Sequence, residues 1–354
     1  MLRTLLAALA VAAAAAGGTQ SRTLEQVAFS DPQHGYGLVV TQSGSRCSDV
    51  VERTIDGGAH FTHPVTVGPC AQASSIAFDA NGDGFLYDPG LFATHDGGAT
   101  WSRLRQPGAV LEVSIEDRSV WLAERVCRPA CRLALYVSAG GRRATVQPRG
   151  LAAPPRAVEE AAGQDYIVRT GPSSGYVLSR PTTAGVTLDH TSDGGRTWTR
   201  REIPCSGFSA VLTAGPDGSL FALCAREPGA GTALKSSASS RDGGRSWTVH
   251  APCANPNACH SPLADGYLGT LATSSPGTAF ALGERSPPLV THDDGASWRA
   301  LWSVGDVNGE PAQVLFLNSR AGIVLGRANG DATQVTIWHT SDAGAVWTAL
   351  RPSI

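Results

Sequence analysis

Five arginines recur at similar places in this chain: Arg125, Arg180, Arg226, Arg285 and Arg327 follow Leu122, Leu178, Leu223, Leu282 and Leu325 by two or three residues. Guanidinium groups gathered on one surface would take carboxylates or sulfates through paired hydrogen bonds. Glu124, Glu227 and Glu284 sit beside three of them and would neutralise part of that charge. The competing reading is ordinary solvated surface. A second constellation is Asp79-Ala80-Asn81-Gly82-Asp83-Gly84, which copies the first half of a calcium loop. The twelfth position of that pattern is Gly90 where a bidentate Glu is required, so a hairpin turn accounts for it better.

Other chemistry finds less support. The nine histidines do not cluster, and neither His-x-x-x-His nor a Gly-x-Ser-x-Gly elbow occurs. Eight cysteines pair by nearest spacing as Cys47–Cys70, Cys127–Cys131, Cys205–Cys224 and Cys253–Cys259, a connectivity that spacing alone leaves open. Zinc at Cys127 and Cys131 would need further Cys or His nearby, and none is present in sequence. No metal and no cofactor is implied.

Residues 1–16 read as a secretory signal peptide, with Arg3 ahead of the apolar run Leu5–Ala16 and small residues at Ala14-Ala15-Ala16. That run is too short to span a bilayer, and no later stretch is long or apolar enough. A disulfide-braced chain outside the cytoplasm, secreted or in the cell envelope, is expected. A formal net charge of −2 carries no footprint for nucleic acid, and a monomer is expected. Lys235 is the only lysine.

The elements that must position these residues are set by an internal repeat. The pattern Ser/Thr-x-Asp-x-Gly-x-x-aromatic begins at Thr54, Thr94, Thr191, Ser240, Thr291 and Thr340, with its aspartates at Asp56, Asp96, Asp193, Asp242, Asp293 and Asp342. Its aromatic is Phe61 in the first copy and Trp101, Trp198, Trp247, Trp298 and Trp347 in the others. The Asp is expected to accept backbone N–H groups two or three residues on, with Gly giving the tight turn and Trp opening the next strand. Successive aspartates lie 40, 97, 49, 51 and 49 residues apart. A decayed copy at Val137–Ala144 splits the long gap, giving seven units.

Each unit holds four short strand patterns, the first beginning at Gln26, Ser75, Leu111, Gln164, Ala210, Tyr267 and Gln313. Four antiparallel strands every 40 to 54 residues predict an all-β, seven-bladed β-propeller, closed because an open array would expose its end sheets. The tryptophans are expected to fill the wedges between blades. Residues 153–163 carry the best helical turn, read here as a loop. The domain reading is signal peptide 1–16, a short segment 17–24, and one propeller over 25–354. What seals the ring is not visible in the pattern.

These octapeptides resemble Asp boxes, or BNR repeats, which occur in sialidases, xyloglucan-cleaving glycoside hydrolases, sortilin-type receptor domains and photosystem II assembly factors. The unit Val27–Tyr36 followed by a box is similar to the non-enzymatic assembly-factor group. The resemblance implies a sialidase-like fold with boxes on outer hairpins, away from the ligand-binding face, and no reaction. Sialidases carry Arg-Ile-Pro ahead of their first box. The similar string here, Arg201-Glu202-Ile203-Pro204, has an extra Glu and follows the fourth unit's box. Another glycosidase would need two carboxylates about 5–9.5 Å apart across a cleft.

The reading is therefore a non-enzymatic scaffold for an unknown protein or an acidic glycan, with a glycoside hydrolase as the alternative. Its expected contact loops are Ser43–Asp49, Arg125–Arg132, Arg226–Gly231, Pro252–Pro262 and Arg327–Thr333.

Overall fold

The computed structural model describes residues 20–70, 73–127, 129, 131–138, 167–179, 186–205, 209–215, 217–226, 232–250, 262–264, 266–283, 286–301, 311–328 and 331–354. The signal-like stretch, the helical turn of 153–163 and Cys253 with Cys259 lie outside them. The chain forms seven antiparallel sheets. Six have four strands, and the third has three among the described residues. Blade 1 runs outward in chain order as Gln20–Phe29, Gly35–Ser43, Arg46–Thr54 and Thr62–Pro69. The inner strands touch one another in cyclic sequence, the seventh meeting the first. The expected seven-bladed propeller is what the chain builds.

Burial explains why these segments are strands. Each sheet stands radially with a neighbour on either face, so its middle strands have no wet side. Leu220–Ala225 is buried at every position, and so is Thr278–Leu282. Outer strands are short and exposed, as in Ser102–Arg103 and Arg299–Ala300. The apolar interior is accordingly divided into seven wedges, one per junction.

Six of the seven wedges have an aromatic keystone, and the closing wedge has Ile323 in its place. On the second strand, the residue after the one facing the box hydroxyl is Tyr36, Phe85, Trp121, Tyr176, Phe221, Phe280 or Ile323. In three wedges it meets the next blade's box aromatic directly. Trp121 meets Trp198 at 6.2 Å, Phe221 meets Trp298 at 5.9 Å and Phe280 meets Trp347 at 5.8 Å, all edge to face. Between blades 1 and 2, Phe78 intervenes, stacked on Tyr36 and edge-on to Trp101. Such geometry suits the ring quadrupoles and adds about 0.5–1.5 kcal/mol per pair beyond area burial.

Along the inner strands, side-chain clamps tie neighbouring blades. The Ile76 N–H donates to Gln26 Oε1 at 3.1 Å, and the Ile167 N–H to Glu112 Oε2 at 2.6 Å. At the seam between blades 7 and 1, Gln313 both accepts from the Val27 N–H (3.1 Å) and donates to its carbonyl (3.0 Å). The C-terminal residues complete closure: Ser353 exchanges hydrogen bonds of 2.9 Å with Phe61 and Ala59, beside the first box. Ile354 packs into the same seam.

Three disulfides are formed, Cys47–Cys70, Cys127–Cys131 and Cys205–Cys224, as nearest spacing proposes. They are the mark of an oxidising extracellular or lumenal environment. No helix among the described residues is long and apolar enough to cross a membrane.

Three sequence expectations need correction. The first inner strand starts at Gln20, not Gln26, because Leu24 is a fully buried member of the closing wedge. The inner strand of blade 6 is Thr270–Ser275, shifted toward the C-terminus, and that of blade 4 runs on to Gly171, with 164–166 outside the described residues. The third copy is offset by one. Strand pairing puts Ser138, not Val137, where other boxes place Thr or Ser, since Val120 faces Ser138 as Gly175 faces Thr191. The buried Ser138 hydroxyl finds no partner among the described residues.

Two substitutions test this frame. Trp298→Ala empties the wedge against Phe221 and should cost about 3–5 kcal/mol in urea unfolding. Ala343 holds φ = 62°, where the equivalent residue of four other boxes is glycine. Ala343→Gly should therefore raise stability by about 0.5–1 kcal/mol, the left-handed penalty outweighing glycine's entropy.

Candidate functional site

The box hairpins hold most of the carboxylates first considered, and their geometry shows what those groups do. In the fourth box the Thr191 hydroxyl donates to Asp193 Oδ1 at 2.8 Å and accepts the Gly195 N–H at 2.9 Å. Asp193 in turn accepts the Thr197 N–H at 2.9 Å and its hydroxyl at 2.6 Å. The same hydroxyl-to-carboxylate bond recurs at Asp56, Asp96, Asp242, Asp293 and Asp342. The Asp thus reaches four residues on as well as the expected three, where the Arg245 N–H donates to Asp242 Oδ1 at 2.9 Å, while the first hydroxyl takes the N–H two residues on. Gly195, at φ = 81°, lets the chain turn there. Every box also reaches the inner hairpin of its own blade or the next wedge, as the Gly194 N–H does to the Ser173 carbonyl at 2.7 Å.

These bonds hold the carboxylates ionised. Donation from Thr100, first its hydroxyl and then its N–H, brings Asp96 down to about 2. Donation from the His60 ring and N–H does the same for Asp56. The hydroxyl and N–H of Ser297 outweigh burial to bring Asp293 to about 2. Asp193 and Asp242 are lowered by the hydroxyls and N–H groups of Thr197 and Ser246, and Asp342 by the Val346 N–H and Thr340 hydroxyl. Carboxylates so engaged are fasteners of the turn, not acids or bases for a substrate.

The calcium-like loop is likewise closed on itself. Asp79 Oδ1 accepts the N–H groups of Asn81 (2.8 Å) and Asp83 (3.1 Å), and Asp83 meets His95 Nδ1 at 2.7 Å. Among the described residues no three His, Cys, Asp or Glu side chains gather as a metal site.

Antiparallel order separates two faces. Turns between first and second strands share one face with the boxes, while second-to-third turns occupy the other. Arg125 lies near the far end of the second strand of blade 3 and is half-buried, and Arg226 is exposed just past that of blade 5. Arg327 pairs with Val335 in blade 7, its side chain outside the described set, as are Arg180 and Arg285. Glu124 turns inward: it is fully buried and accepts the Gly108 N–H. Burial pushes its carboxyl up, against the pull of Gly108 and Tyr136. Glu52, also buried, is pushed up in the same way despite its bond to Arg22. Gly108 is required there because a Cβ would strike the Arg125 carbonyl.

On the box side, a groove of about 720 Å³ opens between blade 1 and the second box, lined by Tyr36, Val51, Ile55, Pro64, Val65 and Ala99. Ile55 is 65% exposed at its lip. Of the two acids in its wall, Asp96 is committed to the turn and Glu52 is bonded to Arg22. Sequence reasoning missed this groove because its walls come from two blades and neither carries a motif for it.

No family model and no curated protein matches the sequence. Solved structures do match. YCF48 bound to a D1 peptide is 20% identical, with a TM-score of 0.59 over 92% of this chain and 95% of that one. YCF48 from Cyanidioschyzon merolae is 16% identical, with a TM-score of 0.57 over 94% and 100%. An ancestral GH74 enzyme is 12% identical, with a TM-score of 0.59 over 95% of this chain and 46% of that one. At these identities the likeness is one of fold.

The lowered box carboxylates set a pH dependence. A folded-state value near 2 against an ordinary 3.8 means the stabilisation is complete above about pH 4 and lost as pH falls toward 2. Urea unfolding of the native chain should show stability falling steeply in that window. Asp96→Asn should flatten the slope, since an amide cannot titrate.

Proposed function

We propose that this chain is a non-enzymatic interaction scaffold, an Asp-box propeller whose face opposite the boxes holds a carboxylate-rich segment of a protein partner. The observation that carries this reading is the return of an arginine two or three residues after the second-strand leucine of five units, Arg125, Arg180, Arg226, Arg285 and Arg327. Guanidinium groups bind carboxylates in pairs of parallel hydrogen bonds and stay charged at any physiological pH. The inward turn of Glu124 supports it, because that acid is spent on the Gly108 N–H and not on the surface. The boxes are consumed as structural turns, which leaves the other face for recognition. The peptide complex of the similarly folded YCF48 is consistent with a protein partner. Acidic glycans offer the same chemistry from another source.

Export through residues 1–16, a single propeller domain and a monomeric state belong to the same proposal. The GH74 fold match supplies the second reading, a glycoside hydrolase, which requires two carboxylates facing each other across a cleft.

The test is binding of acidic peptides and sulfated glycans by calorimetry, to the wild type and to a five-fold Arg→Ala variant with unchanged circular dichroism. The expected result is acidic-peptide binding that weakens at least tenfold in the variant and falls with salt. Equal and negligible peptide binding by both proteins overturns the proposal. Preference for sulfated glycans moves the ligand class, and turnover of fluorogenic glycosides by wild type establishes the hydrolase instead.

A further inference from the structure

The three described disulfides stand in different surroundings. Cys205 and Cys224 are 3% and 5% exposed inside the wedge between blades 4 and 5. Cys47–Cys70 is half-buried and spans 23 residues, fastening the third strand of blade 1 to the end of its outer strand, where the Cys70 N–H also donates to the Cys47 carbonyl. Cys127–Cys131 is unlike both. Its two residues face each other at the tip of the hairpin in blade 3, and Cys127 is exposed.

Its sequence neighbourhood is also distinctive in charge. The stretch reads Arg125-Val126-Cys127-Arg128-Pro129-Ala130-Cys131-Arg132, with three arginines and no acid. The adjacent Glu124 is turned into the interior. Cationic neighbours stabilise a thiolate, both as an incoming nucleophile and as the group that leaves. Exposure gives access to sulfur. The cross-link itself holds little of the fold, because it closes a very short loop and the strand ladder continues from Cys127–Cys131 back to Val120–Ser138 without it.

We propose that Cys127–Cys131 is a thiol–disulfide exchange site, reversibly reduced by small anionic thiols while Cys205–Cys224 and Cys47–Cys70 stay oxidised. An external thiolate attacks Sγ of Cys127. The bond to Cys131 breaks, and Cys131 leaves with the electron pair as a thiolate. A second thiolate then attacks the external sulfur of the mixed disulfide and releases Cys127. Two thiols are oxidised to one disulfide, and the protons they gave up end on Cys127 and Cys131. The site is independent of whether the arginine-bearing face binds a partner.

The experiment exposes the native chain to 2-mercaptoethanesulfonate or to cysteamine at equal thiolate concentration. Samples are acid-quenched, alkylated, and read peptide by peptide by mass spectrometry, with circular dichroism in parallel. Cys127 and Cys131 should be labelled at least tenfold faster than the other two pairs, with the fold intact. The sulfonate thiol should react several-fold faster than the ammonium thiol. That ratio should approach one in 1 M salt and should shrink in Arg125→Gln. Labelling of all pairs together as the fold is lost overturns the proposal, and so does reduction indifferent to the thiol's charge.

Discussion

Everything in this ring depends on how a blade's corner is made rigid enough to hold an indole against its neighbour. The corner is a hydroxyl, a carboxylate and a glycine: Thr191 donates to Asp193, receives Gly195, and Asp193 fixes Thr197, one residue before Trp198. Trp198 is then set edge-on to Trp121 of the preceding blade. A hydrogen-bonded loop of this kind converts a cheap local turn into the orientation of a large apolar group, which is where the packing energy lies. The polar part specifies and the aromatic part stabilises. The third blade illustrates the dependence from the other side, since it lacks both the Asp and the aromatic and has the one box-position hydroxyl, Ser138, with no described partner.

That division of labour decides which acids are committed to the fold. The box aspartates are held by N–H and hydroxyl donors, and Glu52 and Glu124 are folded inward. Acidic content in the sequence therefore overstates acidic chemistry at the surface. Arginine behaves differently, because a guanidinium on a long stem stays charged and reaches solvent from the end of a strand.

Much of the fold was legible because it is written in local repeats. An octapeptide that must turn tightly carries its own residue types, so six boxes, seven units and three disulfide pairs could be read in order. What escaped was set by partners far along the chain. Gln26, Glu112 and Gln313 look like ordinary strand residues until the next blade's backbone is beside them. The second-strand aromatics lie outside the box, and only the strand register reveals Trp121 as the counterpart of Tyr176 and Phe221. The one-residue offset of Ser138 was hidden because the twin glycines of 140–141 match the fourth and fifth box positions only when Val137 is taken as the first, whereas the strand pairing puts Ser138 there. The arginines were legible as a pattern, while their setting depends on loops from several blades.

The seam has a temporal consequence. Val27 and Gln313 are separated by 286 positions, and Ser353 must reach back to Ala59 and Phe61. Six junctions can form as successive blades emerge, each from segments close in the chain, but the seventh waits for almost the whole polypeptide. Closure entropy rises only slowly with such distance, so the penalty is one of rate more than of final stability. Until then the apolar flank of the first blade, with Leu24, Val27 and Phe61, stands uncovered. The nascent chain must therefore be shielded longest at the end that is made first.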